Sequence, residues 1–358
     1  MATTPTHHSV YITHKDHDLD SLQVLPDSYQ WVQPDLFPSL QQHSTPLSDT
    51  LPLIDLSLPD APDLIGEALR TWGSFQIINH GVPLSLIHAA QSSAIDLFAL
   101  PPPHKLKAAR TPGTFPGYGI ARINSFFPKR MWSESFTIMG SPLEHFRHLW
   151  PHDYSKRCDI MAEYDRELKS LCGRLMWIAL SELGITREDI NWAGPNEDFK
   201  TCNAATQLNF YPACPDPDRA MGLGAHTDTS LLTVLHQNNT RGLQILREGK
   251  QWVTVEPVAG ALVVQVGDML QIVSNGLYKS PFHQAVVNRT KKRLSVAYLF
   301  VPPENVEMSP HKKLLSPTQP PLYRPISWTD FIRIKSDHFD GLSCIRVDVK
   351  DESQVKVG

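Results

Sequence analysis

Residues with chemical capacity sit in unexpected places in this sequence. The segment GLGAHTDTSLLTVL, residues 222–235, carries His226 and Asp228 one residue apart, with Leu231, Leu232, Val234 and Leu235 directly after them. On a strand, positions i and i+2 share a face, so the imidazole and the carboxylate point the same way. Burying both is costly unless something pairs with them. Further along, SPFHQAVVN supplies His283 in another apolar strand pattern. Two further H-x-D triplets, His14 to Asp16 and His338 to Asp340, lack that context: the first lies in a polar stretch, and the second has no histidine after it.

Two imidazoles and one carboxylate can occupy one face of a six-coordinate ion and leave three positions open, as in non-haem Fe(II) oxygenases. The same set can bind zinc or satisfy itself as a hydrogen-bonded core cluster, and the triad alone leaves these alternatives open. RLSVAYLF, residues 293–300, adds a second feature. Arg293 and Ser295 share one face, while Leu294, Val296, Tyr298 and Phe300 take the other. An inward arginine needs an anion, and its planar fork suits a carboxylate. QLNFYP repeats the pattern, with Asn209 and Tyr211 opposite Leu208 and Phe210. A protein salt bridge also accounts for Arg293 alone. Joined to the triad, the set describes a metal beside a pocket for a small dicarboxylate.

The elements that must position these residues change character along the chain. Residues 1–50 are rich in His, Pro, Ser, Gln and Asp and read as a poorly ordered arm. Residues 51–200 form a helix-rich region: strands are expected at LPLIDLSL, SFQIINHG and WSESFTI, helices at PDLIGEALRTW and residues 84–100, and one long helix over 155–183 with Gly184 as its cap. In WSESFTI, Trp132, Glu134 and Phe136 share a face. Residues 201–303 are closely spaced short strands, as in a sandwich or barrel. Residues 304–358 are expected to hold a C-terminal helix and tail. The layout is α+β around a β core.

The 358 residues are 41% hydrophobic and 20% charged, with a net charge of −4. That balance offers no field for nucleic acid or anionic membrane. The apolar runs are too short and broken for a transmembrane helix. The opening MATTPTHHSV lacks a basic n-region and an apolar h-region. The five cysteines form no C-x-x-C pair, which suits free thiols and a cytoplasmic location.

From about residue 50 to 335 the chain resembles the plant 2-oxoglutarate- and Fe(II)-dependent dioxygenases. The resemblance rests on WGSFQIINHGVP, NFYP, HTD, the distal histidine and RLS. It implies a distorted double-stranded β-helix (jelly roll) core with a helix-rich N-terminal region. It also implies Fe(II) on His226, Asp228 and His283. Arg293 and Ser295 would hold 2-oxoglutarate, with Tyr211 and Asn209 assisting. O2 would be the second cosubstrate, ascorbate the reductant, and succinate and CO2 the by-products.

GYGIARINSFFPKRMWSESFTIMGSP, residues 117–142, is similar to the gibberellin 3-beta-hydroxylase branch. The substrate expected from this is a gibberellin acid, oxidised at the 3-beta position by a monomer with no nucleic-acid or membrane partner. The expected substrate contacts are Arg122 for the carboxylate and Trp132 for the skeleton, with Tyr118, Ser125 and Glu134 nearby. Each is equally a loop charge or a core side chain. Lys129 and Arg130, beside a proline, read as a solvated turn. The alternatives are an oxidase acting at another gibberellin carbon, a flavonoid or other metabolite dioxygenase, and a non-catalytic small-molecule sensor on the same barrel.

Overall fold

The structure is a computed structural model and describes residues 18–31, 50–194, 196, 198–247 and 251–347. The triplet from His14 to Asp16 lies outside the described residues. Among the described residues, twelve strands make the two main sheets: β1 (Leu53–Asp55), β2 (Ser74–Ile78), β3 (Gly117–Gly119), β4 (Glu134–Met139), β5 (Asn203–Tyr211), β6 (Met221–His226), β7 (Leu232–Gln237), β8 (Leu243–Arg247), β9 (Gln251–Thr254), β10 (Leu262–Val266), β11 (His283–Val286) and β12 (Arg293–Val301). The larger sheet runs β1-β2-β10-β7-β12-β5-β4-β3 and the smaller β6-β11-β8-β9. A short pair, β13 (Glu307–Met308) and β14 (Ile326–Ser327), stands apart. The helices are α1 (Ala61–Thr71), α2 (Leu84–Ala99), α3 (Pro102–Lys105), α4 (Leu143–Leu149), α5 (Tyr154–Ser181), α6 (Asp268–Val273) and α7 (Trp328–Asp337). The chain thus has the expected α+β layout around a β core.

The alternation in β5 and β12 is what separates core from site. Antiparallel register pairs Arg293 with Tyr211, Ser295 with Asn209 and Ala297 with Gln207. These side chains line one cavity. Their sequence neighbours Leu208, Phe210, Leu294, Val296, Tyr298 and Phe300 are buried on the other face in the main core. There they meet α5, whose Met161, Tyr164, Leu168, Leu171, Leu175 and Ala179 recur at helical spacing and are buried. Each such leucine contributes about 1.5–3 kcal/mol by leaving water. Gly184, at φ +71°, follows the helix in the left-handed region that a glycine tolerates best.

Two expectations about organisation need correcting. Within the segment expected to be poorly ordered, residues 18–31 are packed: Leu19, Leu25, Tyr29 and Trp31 are buried. Two short 3-10 turns, Leu19–Ser21 and Asp27–Tyr29, carry Leu19 and Tyr29, with Leu25 between them and Trp31 after the second, so these apolar residues show no helix or strand period. The supposed solvated turn is their anchor. Lys129 Nζ donates to the Asp27 carbonyl at 2.9 Å, and Trp31 Nε1 to the Arg130 carbonyl at 3.0 Å. Nor does the jelly roll begin at residue 201, because β1, β2, β3 and β4 all belong to the larger sheet.

Candidate active site

Between the two sheets lies a cavity of about 320 Å³. His226 ends β6, and register places it directly opposite His283, the first residue of β11. Asp228 is not on a strand: it follows β6 in a loop that turns its carboxylate back toward both imidazoles. His226 Nε2 lies 3.6 Å and His283 Nε2 3.7 Å from Asp228 Oδ1. One donor atom from each residue falls within 4.8 Å of the others.

The opposite ring nitrogens are already engaged. His226 Nδ1 faces the Gly224 carbonyl at 2.9 Å, and His283 Nδ1 faces the Pro281 carbonyl at 3.2 Å. A carbonyl only accepts, so each Nδ1 carries a proton and each ring turns its Nε2 inward. Burial, helped by His283, holds the His226 imidazole well below the usual histidine range. Burial pushes the Asp228 carboxyl up, but His283, His226, the Thr233 hydroxyl and Lys335 outweigh it and keep the group low. Two imidazole Nε2 atoms and a carboxylate converging on one point fit a divalent ion.

The anion end is equally explicit. Arg293 is 2% exposed. Its Nη2 donates to Gln237 Oε1 at 2.9 Å, while its Nε and Nη1 are buried without a hydrogen-bond partner. Its guanidinium lies 5.0 Å from the Tyr211 ring centroid. Burial raises the Tyr211 hydroxyl, and Arg293 and Ser295 partly offset that rise. Gly242 makes the approach possible, since a Cβ there would stand 2.6 Å from Arg293 Cδ. A buried guanidinium with two idle donors, and no acidic partner among the described residues, calls for a carboxylate from outside the chain.

The predicted substrate residues divide. Arg122 and Ser125 sit in a 3-10 turn on the cavity rim, with Arg122 over the Phe115 ring at 3.9 Å. The Ser125 hydroxyl donates to the Arg122 carbonyl. Trp132, Tyr118 and Glu134 do not line the cavity, and the sequence expectation for them is corrected. One cause covers all three. In β4 the cavity face carries Thr137 and Met139, so Glu134 and Phe136 point away from it. Tyr118 pairs with Phe136 in register and shares that outward face. There its hydroxyl and Lys105 Nζ both bond the buried Glu134 carboxylate. Trp132 is 0% exposed, packs edge-on against Tyr29 and donates to the Pro212 carbonyl. His338 and Asp340 are exposed beyond α7.

Sequence reading missed Arg110. It lines the cavity with Arg122. Its Nη1 and Nη2 donate to the Ile120 carbonyl and Thr137 Oγ1, each at 3.1 Å, and its Nε is buried without a partner. Burial pushes this guanidinium down to about 10, with the Arg122 charge adding to the effect. From Thr137 the hydrogen bonds continue to Gln207 at 2.6 Å and from Gln207 to Asn209 at 3.3 Å. In sequence Arg110 is one cation in a Pro- and Gly-containing turn, with no periodicity to mark it. The expected C-terminal helix is α7, but its place in the site was not read from the sequence: Trp328, Ile332 and Lys335 close one wall.

This fold, with a two-histidine, one-carboxylate face beside a buried arginine, defines an Fe(II)- and 2-oxoglutarate-dependent oxygenase. Known families agree. The 2OG-Fe(II) oxygenase superfamily profile matches residues 202–302, and the N-terminal profile described as "non-haem dioxygenase in morphine synthesis" matches residues 51–153. The chain belongs to the 2OG-Fe(II) oxygenase superfamily and is an Fe(II)- and 2-oxoglutarate-dependent dioxygenase. Within it, the chain is 52% identical to gibberellin 3-beta-dioxygenase 1 of Pisum sativum, over 95% of this chain and 92% of the relative. It is 51% identical to gibberellin 3-beta-dioxygenase 1 of Arabidopsis thaliana, over 95% and 96%. Among solved structures it resembles JOX2 in complex with 2OG, Fe and JA: TM-score 0.77, 30% identity, covering 90% of this chain and 93% of that one.

Proposed function

We propose that this dioxygenase hydroxylates a gibberellin acid at the 3-beta position, with 2-oxoglutarate and O2 as cosubstrates and ascorbate as reductant. The observation that carries the reading is that three differently equipped zones face one cavity: the triad, the Arg293 anchor, and an apolar rim holding Arg110 and Arg122. The named relatives supply the substrate class.

His226, Asp228 and His283 would hold the iron. Bound there, iron supplies oxidation of an unactivated C–H by O2, coupled to decarboxylation of 2-oxoglutarate to succinate and CO2. Arg293, with Ser295 and Tyr211, receives the far carboxylate of 2-oxoglutarate, while Asn209 braces Gln207. Arg122 receives the gibberellin carboxylate, and Arg110 joins it there. Leu223, Leu243, Ala297, Leu299 and Ile332 give the skeleton apolar walls that keep water out. No described helix is long and apolar enough to cross a membrane. All five cysteines are free, which supports a reducing, cytoplasmic setting for the monomer.

The test is incubation of the purified protein with Fe(II), ascorbate, 2-oxoglutarate and a panel of gibberellin acids, with products read by mass spectrometry. A 3-beta-hydroxylated product with succinate in equal amount is expected. Oxidation at another carbon, or of a flavonoid alone, would overturn the substrate assignment. Ligand binding without turnover would make the protein a sensor.

A further inference from the structure

The two histidines of the triad are held by their own Nδ1 bonds, but Asp228 lies in a loop beyond β6, outside both sheet ladders. Something else must fix it. Lys335 of α7 reaches that loop with its side chain 13% exposed. Its Nζ donates to both the carbonyl and the hydroxyl of Thr227, each at 2.7 Å, and pairs with the Asp268 carboxylate. An ammonium has three donors, and these contacts use all three. Thr227 is the residue between His226 and Asp228. Asp268 completes the grip: its backbone N–H donates to the Asp228 carbonyl at 2.7 Å, and its carboxylate accepts from the Thr227 hydroxyl at 3.2 Å. Two consecutive loop carbonyls are therefore held from outside by one buried ion pair.

We propose that Lys335 and Asp268 are the positioning pair of the metal loop, setting how far the Asp228 carboxylate reaches toward the ion. α7 does this while also walling the cavity through Trp328, Ile332 and Lys335. The inference rests on the metal reading of His226, Asp228 and His283. Partners that orient a ligand from behind commonly change metal affinity by about 10–100-fold when removed.

The experiment measures Co(II) binding to the metal-free full-length protein by calorimetry, with melting temperature in parallel. Lys335→Met leaves Asp268 buried and unpaired, so it costs stability as well as Co(II) affinity. Lys335→Met/Asp268→Asn removes both charges and separates the two effects. The double variant is expected to regain much of the melting temperature while Co(II) still binds about 10–100-fold more weakly than in the wild type. Wild-type Co(II) affinity in a folded Lys335→Met protein would overturn the proposal. So would recovery of wild-type affinity in the double variant, which would mean that Lys335 only neutralises Asp268. If Lys335→Met does not fold, the double variant decides. His283→Ala is the control. Co(II) binding unaltered by it would overturn the metal reading itself, a result distinct from either of the others.

Discussion

Arg293 shows how much one residue's surroundings decide. A buried guanidinium with two unpartnered nitrogens is tolerable only if an anion arrives. Removing one partner of a buried ion pair costs about 3–5 kcal/mol, or roughly two to three and a half decades in affinity. Arg293→Ala should therefore raise the KM for 2-oxoglutarate by that order, and Arg293→Lys by less, because the charge stays and the fork is lost. Metal content should not change. An Ala variant with the wild-type KM would mean that the guanidinium serves only Gln237. The rim arginines are a separate test. Arg122 is exposed and Arg110 is half-buried, so screening weakens the former more. Losing a charge-assisted hydrogen bond costs about 1.5–3 kcal/mol, roughly 10- to 150-fold. Arg110→Ala should approach the upper end in kcat/KM for gibberellin acids, and Arg122→Ala the lower. Both should leave the 2-oxoglutarate KM alone, and a substrate methyl ester should be indifferent to either. Arg293 was legible in the sequence because strand alternation exposed it. Arg110 was not, because turns carry no period.

At the scale of the element, β4 is the instructive case. Its alternation was legible: Trp132, Glu134 and Phe136 were grouped on one face, and that face is buried. Which side of the sheet it met was not. Alternation gives two faces and no sign, and only tertiary packing chooses between cavity and core. In β5 and β12 the sign was readable, because polar and apolar residues separate cleanly there. In β4 polar Glu134 went to the outer side, paired with Lys105, whose side chain is 4% exposed. Glu134→Ala strands that ammonium. It should lower stability by about 3–5 kcal/mol, seen as a lower denaturant midpoint, while the KM for gibberellin stays at the wild-type value. A raised KM with unchanged stability would return Glu134 to the substrate site.

At the scale of the whole molecule, the helix-rich first half and strand-rich second half looked like successive regions with a boundary near residue 201. The sheet order contradicts that division. β2 pairs with β10 over four residue pairs, and β4 with β5 over six. Strands from the first half thus flank the oxygenase core on both sides. The outer face of that core is covered by α2 and α5, which come from the first half as well. The sequence could not show this, because long-range pairing leaves no local mark: each strand looks the same whether its partner is ten residues away or two hundred. A fragment of residues 201–303 would keep the triad, Arg293 and Tyr211. It would also leave the ladder edges of β5 and β10 bare and expose the apolar side of β12, conditions that favour edge-to-edge association over folding. The fragment alone should therefore show no cooperative unfolding by circular dichroism and should aggregate. Extending the second fragment to residue 347, which keeps α7 and Lys335, and co-expressing it with residues 18–200 should restore a soluble complex that binds Co(II). A 201–303 fragment that melted cooperatively and bound Co(II) by itself would show that the second half is a self-sufficient domain, and that the first half only covers it.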